Sequence, residues 1–558
     1  MSYNDSVVVV CNDSINPVGL DWFCPETGIY TSLHPTVQLP TRPDIDVVTF
    51  TFSQKHDGQT ALIDSAAGYS VSYSDLFPLV QSMAFGLIEK GIQKGDVVLI
   101  LLPNSLLFPV LFLSVLYAGG VVTSMSPLSS EFEVQKQAAH ANVKLGFCGA
   151  KHVEKLNEMG VSAIQVPDAF SSNQEFMEYC DLLKPRGDVK LISRPAIHQD
   201  DTAAILYSSG TTGASKGVVL SHGNLIATAE LFVRCEASQY DETSSSNVYL
   251  AALPMFHIYG LSLFVIGLLS LGSGIVVMSR FSIDEAVQAI AQHKVTHFPV
   301  VPPILAALAA KAKGGCAGSL RSLKQVSVGA SYTTKKVIDD FVQALPHVDF
   351  IQGYGLTESS AVGTRGFNTR NLRKYFSVGL LAPNMQAKVV DWVTGSLMSP
   401  GLTGELWLRG PGIMKGYLNN EEASREAVDK DGWLRTGDIV FFDLDGYLYI
   451  VDRLKDVIKY KGFQIAPGDL EEALISHPEI DDTAVTAGKD EVAGEVPVAF
   501  VVRSEGSSLS HKAVMDYVAQ KVAPHKKVRQ VIFVQSIPRS PAGKILRRTL
   551  RNALASKL

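Results

Sequence analysis

At 558 residues, with 46% apolar and 19% charged residues, the chain has the composition of a globular protein and is too long for one hydrophobic core; a length prior suggests about three or four compact units. Its 49 Lys and Arg against 55 Asp and Glu give a formal charge of −6 with no long basic run, which argues against nucleic acid as a partner. The six cysteines, Cys11, Cys24, Cys148, Cys180, Cys235 and Cys316, form no Cys-x-x-Cys pair and read as free thiols of a reducing compartment, not zinc ligands.

Residues 1–45 carry no periodic pattern and read as an irregular N-terminal arm. Asp5 precedes a short valine run without any basic segment, which argues against a secretory signal. Ser74 is a candidate helix cap, with Leu76, Val80, Met83 and Leu87 at helical spacing up to Gly91. Residues 97–102 are an all-apolar strand of the doubly buried kind. Asn104 is positioned to cap an apolar helix ending at Gly119-Gly120, and Val121-Val122-Thr123 follows as the next strand. This β-α-β order implies a parallel sheet with helices on its faces. It recurs through residues 144–148, the apolar run 203–206 and residues 297–301.

The apolar runs 97–122 and 260–278 are broken by Pro103, Asn104 and Pro109, and by Gly267, Gly272 and Gly274. A membrane span needs about 20 nearly uninterrupted apolar residues, so no transmembrane segment is expected. Residues 446–451 alternate as a strand. Beyond Asp452 come a basic, glycine-containing segment, a helix opening at Pro467-Gly468-Asp469, a strand over 496–502 and an amphipathic helix over 511–522. A boundary near Asp452 therefore separates an α/β body from a compact α+β block.

The run 207–217, Tyr-Ser-Ser-Gly-Thr-Thr-Gly-Ala-Ser-Lys-Gly, follows an apolar strand. Small hydroxyls and glycines let a backbone close around phosphate oxygens, and Lys216 adds a charge that reaches them. The Walker spacing is absent. By composition the run fits either a phosphate loop or a flexible surface loop.

Four further blocks occur in order: Gln352-Gly353-Tyr354-Gly355-Leu356-Thr357-Glu358, Thr436-Gly437-Asp438, Asp452-Arg453-Leu454-Lys455-Asp456 running into residues 459–464, and Pro541-Ala542-Gly543-Lys544. With the run at 207–217 they resemble the adenylate-forming superfamily of acyl-CoA synthetases, adenylation domains and luciferases, over the chain from about residue 50 to the end. The wording is most similar to the plant 4-coumarate–CoA ligase and ligase-like group. The resemblance implies an α/β fold: a large N-terminal domain (46–453) of parallel and mixed sheets flanked by helices, and a small mobile α+β C-terminal domain (454–555). It implies an AMP-forming acid–thiol ligase using ATP, coenzyme A and Mg2+.

Residue by residue, the resemblance puts Ser208, Ser209, Gly210, Thr211, Thr212 and Lys216 around the triphosphate, Thr357 on the α-phosphate and Glu358 on the metal. It puts Ala330, Gln352, Gly353 and Tyr354 at adenine, and Asp438 with Arg453 at the ribose. Lys544 becomes the catalytic lysine between carboxylate and α-phosphate. His257 and Tyr259 line the acyl channel, Lys455 is the hinge and Lys459 lies near the adenylate. Arg280, Lys461 and Gly462 fall at coenzyme A. Where the ligases usually read Gly-Ala-Ala-Pro-Leu, this chain reads Gly329-Ala330-Ser331-Tyr332-Thr333; Ser331 and Tyr332 are thereby expected beside the acyl pocket, with an altered acid preference.

The chain ends Ser556-Lys557-Leu558, the address read by the peroxisomal import receptor. The expected partners are a small carboxylic acid, ATP, coenzyme A and that receptor. A hydroxycinnamic-type acid, a fatty or oxylipin-type acid, a luciferase-like oxygenase and an idle binding protein are the readings that the motifs leave to compare.

Overall fold

The computed structural model describes residues 20–167, 177–184, 194–208, 215–238, 246–368, 372–460, 463–490, 494–540 and 543–555. Three sheets of seven, nine and six strands build the N-terminal body, and a five-stranded sheet builds the C-terminal one. In the seven-stranded sheet, Val97–Leu101 lies between Val121–Ser124 and Val143–Cys148, parallel to both, and Val121–Ser124 pairs in turn with Thr202–Ser208. The crossover from Val97–Leu101 to Val121–Ser124 is helix Leu107–Tyr117, ten of whose eleven residues are buried. A helix that is apolar all round belongs inside a core, which is why this run stays within the body. The second apolar run winds through Leu261–Gly267 and Leu268–Ser270 before strand Gly274–Val277. Among the described residues no helix is long and apolar enough to cross a membrane.

Two helix caps differ from the sequence expectation. Helix Tyr73–Glu89 is capped by Ser72, not Ser74: its hydroxyl accepts from the Asp75 N–H. Asn104 caps nothing. Its buried amide donates to the carbonyls of Ala251 (3.3 Å) and Leu253 (2.9 Å), and its oxygen accepts from the Met255 N–H at 2.8 Å. A buried amide must find partners, and here they lie on the segment that leads to His257.

The nine-stranded sheet sets Asp349–Tyr354, Gln325–Val328, His297–Val300, Val248–Ala251 and Gly274–Val277 side by side, all parallel. The six-stranded sheet is antiparallel and corrects the irregular arm expected at the N-terminus. Phe23–Cys24 and Ile29–Thr31 form a hairpin, and Ile29–Thr31 pairs with Gln386–Val390. Tyr30 anchors it, fully buried, with its ring stacked 4.5 Å from that of Phe442 and its hydroxyl donating to the Met398 carbonyl at 2.7 Å. Strands of two and three residues are too short to show a period of two, so tertiary contacts alone reveal them.

Strand Leu448–Arg453 closes the six-stranded sheet, and Ile458–Tyr460 already belongs to the five-stranded one. Helices Pro467–Ile475 and His511–Ala519 pack on that sheet around a separate apolar core that includes Ile458, Leu470, Val485 and Val514. The switch between bodies thus takes only a few residues. Asp452 spans it: its Oδ2 accepts from the Gly468 N–H at 2.8 Å, and burial raises its carboxyl to about 7.

Candidate active site

The site draws on strands of the three sheets of the large body and on a loop of the small one. Thr202–Ser208 and Lys216–Ser221 pair antiparallel with Lys216 opposite Ser208, and the Ser215 hydroxyl donates to the Ser208 carbonyl at 2.8 Å. Ser209, Gly210, Thr211 and Thr212 lie outside the described residues. The next strand over, Gly416–Tyr417, pairs with Lys216–Ser221 and supplies a residue that the motifs did not point to. The Lys216 ammonium stands 4.7 Å from the centre of the Tyr417 ring, and the Tyr417 hydroxyl donates to Glu358 Oε1 at 3.1 Å. One tyrosine therefore ties the expected phosphate lysine to the expected metal carboxylate. No motif carried that signal, because the link is a contact between distant strands.

Thr357 and Glu358 sit on a single 3-10 turn, Thr357–Ser359, just past strand Asp349–Tyr354. A hard carboxylate tied to the expected phosphate lysine would suit Mg2+, which takes one or two protein oxygens and completes its shell with phosphate and water. Among the described residues no group of three or more His, Cys, Asp or Glu side chains could hold a metal ion. Replacing Tyr417 with alanine is expected to raise the Michaelis constant for ATP–magnesium about tenfold, the equivalent of ~1.4 kcal/mol. Tyr417→Phe, which keeps the ring under Lys216, is expected to raise it only about threefold; steady-state kinetics at saturating acid measures both.

Asp438 and Arg453 stand directly opposite each other on the paired strands Leu434–Phe442 and Leu448–Arg453. Arg453 Nε lies 2.9 Å from Asp438 Oδ1, and the Tyr354 hydroxyl donates to Asp438 Oδ2 at 2.7 Å. Burial and the Asp438 charge hold the Tyr354 phenol well above its ordinary range, so it remains a donor. Asp438 is buried, yet a carboxylate has about four lone-pair sites. Two remain for a diol. Gln352 is also buried, but its amide donates to the Tyr375 carbonyl at 2.8 Å and faces away from the cavity.

Lys544 arrives from the other body. It lines a cavity holding about 480 Å³ of atom-free space, mouth included, together with His257, Tyr259, Ala330, Tyr354 and Thr357. Burial, and after it the Arg453 charge, lowers the Lys544 ammonium to about 8 against the opposing pull of Asp438 and Glu358. Gly543 makes this approach possible: its φ of +76° is left-handed, and a Cβ there would stand 3.3 Å from the Val301 side chain. His257 is pushed down to about 4 by burial and by Lys544, so its imidazole is neutral at pH 7. Its Nδ1 accepts from the Tyr259 N–H at 3.4 Å, capping the turn Ile258–Gly260. Ala330 carries a left-handed φ of +71° in the cavity wall, a strain of about 1–3 kcal/mol of the kind that collects at functional sites.

Not every expected residue joins this cavity. Tyr332 is 46% exposed, and its hydroxyl donates to Glu472 Oε2 of the small body at 3.5 Å; Ser331 Oγ donates to the Gly543 carbonyl at 3.5 Å. Both serve the contact between the bodies, not the acyl wall. Restoring Ala-Pro-Leu at 331–333 is therefore expected to leave the ranking of acids within about twofold and to change the balance of the two half-reactions instead, measured by comparing pyrophosphate exchange with thioester formation. Lys455, Lys459 and Arg280 are exposed outside the cavity, and the Lys459 backbone N–H donates to Glu495. Lys461, Gly462, Ser556, Lys557 and Leu558 lie outside the described residues.

The chain is similar to known proteins over most of its length. Residues 50–418 match the model of the AMP-binding enzyme family and residues 469–544 that of the AMP-binding enzyme C-terminal domain. The chain is 57% identical to "4-coumarate–CoA ligase-like 6" of Arabidopsis thaliana over 541 residues, covering 96% of this chain and 95% of that protein. It is 42% identical to "Peroxisomal OPC-8:0-CoA ligase 1" of Arabidopsis thaliana over 539 residues, covering 95% and 96%. Among solved structures, ATP-bound MatB from Rhodopseudomonas palustris superposes with a TM-score of 0.82 at 26% identity, covering 91% of this chain and 98% of that one. The chain belongs to the AMP-binding, adenylate-forming family and is an acid–thiol ligase that makes acyl-CoA through an acyl-adenylate.

Proposed function

We propose that the acid is aromatic, of the hydroxycinnamic type, and that the ligase works in peroxisomes. The observation that carries the catalytic part is that Lys544 of the small body lines one cavity with Thr357 of the large one and feels the charges of Arg453, Asp438 and Glu358 there. A carboxylate meeting a polyphosphate brings like charges together, so adenylation needs fixed positive charge where negative charge develops. Lys544 supplies it between the carboxylate and the α-phosphate, with Thr357 donating alongside. Lys216, Ser208, Ser209, Gly210, Thr211 and Thr212 hold the outer phosphates. Asp438 accepts from the ribose hydroxyls, and Ala330, Gly353 and Tyr354 border adenine.

Glu358 would hold Mg2+, which neutralises phosphate charge when bound. His257, kept neutral, orients the acid without repelling Lys544. In the second step the thiol of coenzyme A displaces AMP from the acyl carbon. Lys461 and Gly462, with Arg280, are proposed to border its entry as the small body turns about Lys455 and brings Lys459 toward the adenylate.

The aromatic assignment is supported by the similarity to ligase-like relatives. The peroxisomal one is supported by the terminal Ser556-Lys557-Leu558 and by the name of one relative. A panel of cinnamic, benzoic, fatty and oxylipin-type acids, assayed for AMP release and thioester formation, tests the first. Turnover with fatty acids alone overturns it. A fluorescent fusion with and without residues 556–558 tests the second; a cytosolic signal from the fusion that keeps them overturns it.

A further inference from the structure

Arg365 has no place in the adenylation chemistry, yet it is buried in the wall of the same cavity as Lys544. It lies on the two-residue strand Thr364–Arg365, opposite Gly353. Its guanidinium forms an ion pair with Glu236, packs over the Phe232 ring at 4.8 Å, and sets Nη1 so close to Gly353 that a Cβ there would stand 2.8 Å away. A side chain at Gly353 would have to displace the guanidinium from its ion pair. Arg365 and Phe232 also line a narrow crevice with about 310 Å³ of atom-free space, mouth included, whose other walls include Leu231, Cys235 and Phe367. They form the partition between the two spaces.

Beside them the Tyr259 hydroxyl, in a residue 91% buried as 9% exposure implies, makes no hydrogen bond. It lies against the Arg365 guanidinium, close enough for a long, weak interaction that leaves its hydrogen-bonding capacity largely unused. An unpaired buried hydroxyl costs stability unless something arrives to satisfy it. A purely apolar acyl chain would leave Tyr259 unsatisfied and pass against a buried guanidinium.

We propose that Arg365, held in place by Glu236, works with Tyr259 to read an acceptor oxygen at the end of the acyl group remote from the carboxylate, so that the enzyme selects oxygenated acids over their deoxygenated counterparts. This rests on the ligase activity and refines the substrate class. The shared chemistry is an oxygen that can accept from a guanidinium and a phenol. It is supplied either by a phenolic hydroxyl on an arylpropenoic acid or by a ring ketone on an aliphatic acid. Glu236 balances the charge of Arg365, so the pair can stay buried whether or not the oxygen is present.

The test compares kcat/KM for two matched pairs, 4-hydroxycinnamic against cinnamic acid and a cyclopentanone-bearing octanoic acid against its cyclopentane analogue. Wild-type enzyme is expected to favour the oxygenated member of at least one pair by tenfold or more. Arg365→Met is expected to cut that preference to within about threefold, mostly through the oxygenated acid, with the ATP Michaelis constant changing far less. Tyr259→Phe, which removes only the hydroxyl, is the second variant should Arg365→Met unfold; it is expected to cut the preference at least threefold. Wild-type enzyme that treats both members of both pairs within twofold overturns the proposal, as does a preference that survives in a folded Arg365→Met or in Tyr259→Phe. Preference confined to the cyclopentanone pair would uphold the oxygen-reading site and overturn the hydroxycinnamic assignment.

Discussion

Replacing Lys544 with alanine is expected to lower acid-dependent adenylation roughly a thousandfold or more, while thioester formation from supplied acyl-adenylate falls far less. In the proposed role, the charge of Lys544 serves while carboxylate meets α-phosphate and not after AMP is already joined. Acid-dependent pyrophosphate exchange reads the first half-reaction and single-turnover thioester formation the second. Equal loss in both would remove the lysine from the adenylation step. The pH dependence follows with a definite sign. Burial and Arg453 lower the Lys544 ammonium to about 8, so the charged form dominates below that pH and is lost above it. In the free enzyme, kcat/KM for adenylation should therefore decline above about pH 8. No alkaline decline of this origin can remain in Lys544→Ala.

Asp438→Ala is expected to have the second largest effect, on nucleotide binding and on stability together. Removing this carboxylate leaves the Arg453 guanidinium and the Tyr354 hydroxyl without the partner that each now has at 2.9 and 2.7 Å. Breaking a fully buried ion pair from one side costs about 3–5 kcal/mol. Arg453 keeps 31% of its side chain exposed, so roughly 2 kcal/mol is the better expectation here. The ATP Michaelis constant should rise about a hundredfold or more, since the proposed acceptor for the ribose is gone. Thermal melting and ATP titration of the variant measure the two effects. Asp438→Asn, which retains an acceptor oxygen but not the charge, should lie between. A variant with an unchanged ATP constant would disconnect Asp438 from the nucleotide.

The sequence made some parts of this protein legible because their causes are local. The β-α-β alternation through 97–124 follows from apolar runs punctuated by glycine and proline, and the parallel sheet appears where the alternation predicts it. The five motifs marked the family by residue type and order. The caps were less legible, since Ser72 and Ser74 are equivalent by composition and only the chain path selects between them. Asn104 was misread for a related reason: its turn chemistry suits a helix start, but burial redirected its amide to the segment before His257.

What the sequence determined by itself was the family, the α/β class and the residue types that adenylation requires, because each is written in contiguous stretches of chain. What only the tertiary structure decided was proximity. Tyr417 reaches Glu358, 59 residues away, and Tyr354 reaches Asp438, 84 residues away. Arg365 meets Glu236 across 129 residues, and Tyr332 turns to Glu472 instead of the acyl wall. Contacts of this kind depend on sheet order and on how two bodies dock. Neither leaves a period or a spacing in the sequence, since packing constrains residues by where the folded chain brings them and not by their distance along it.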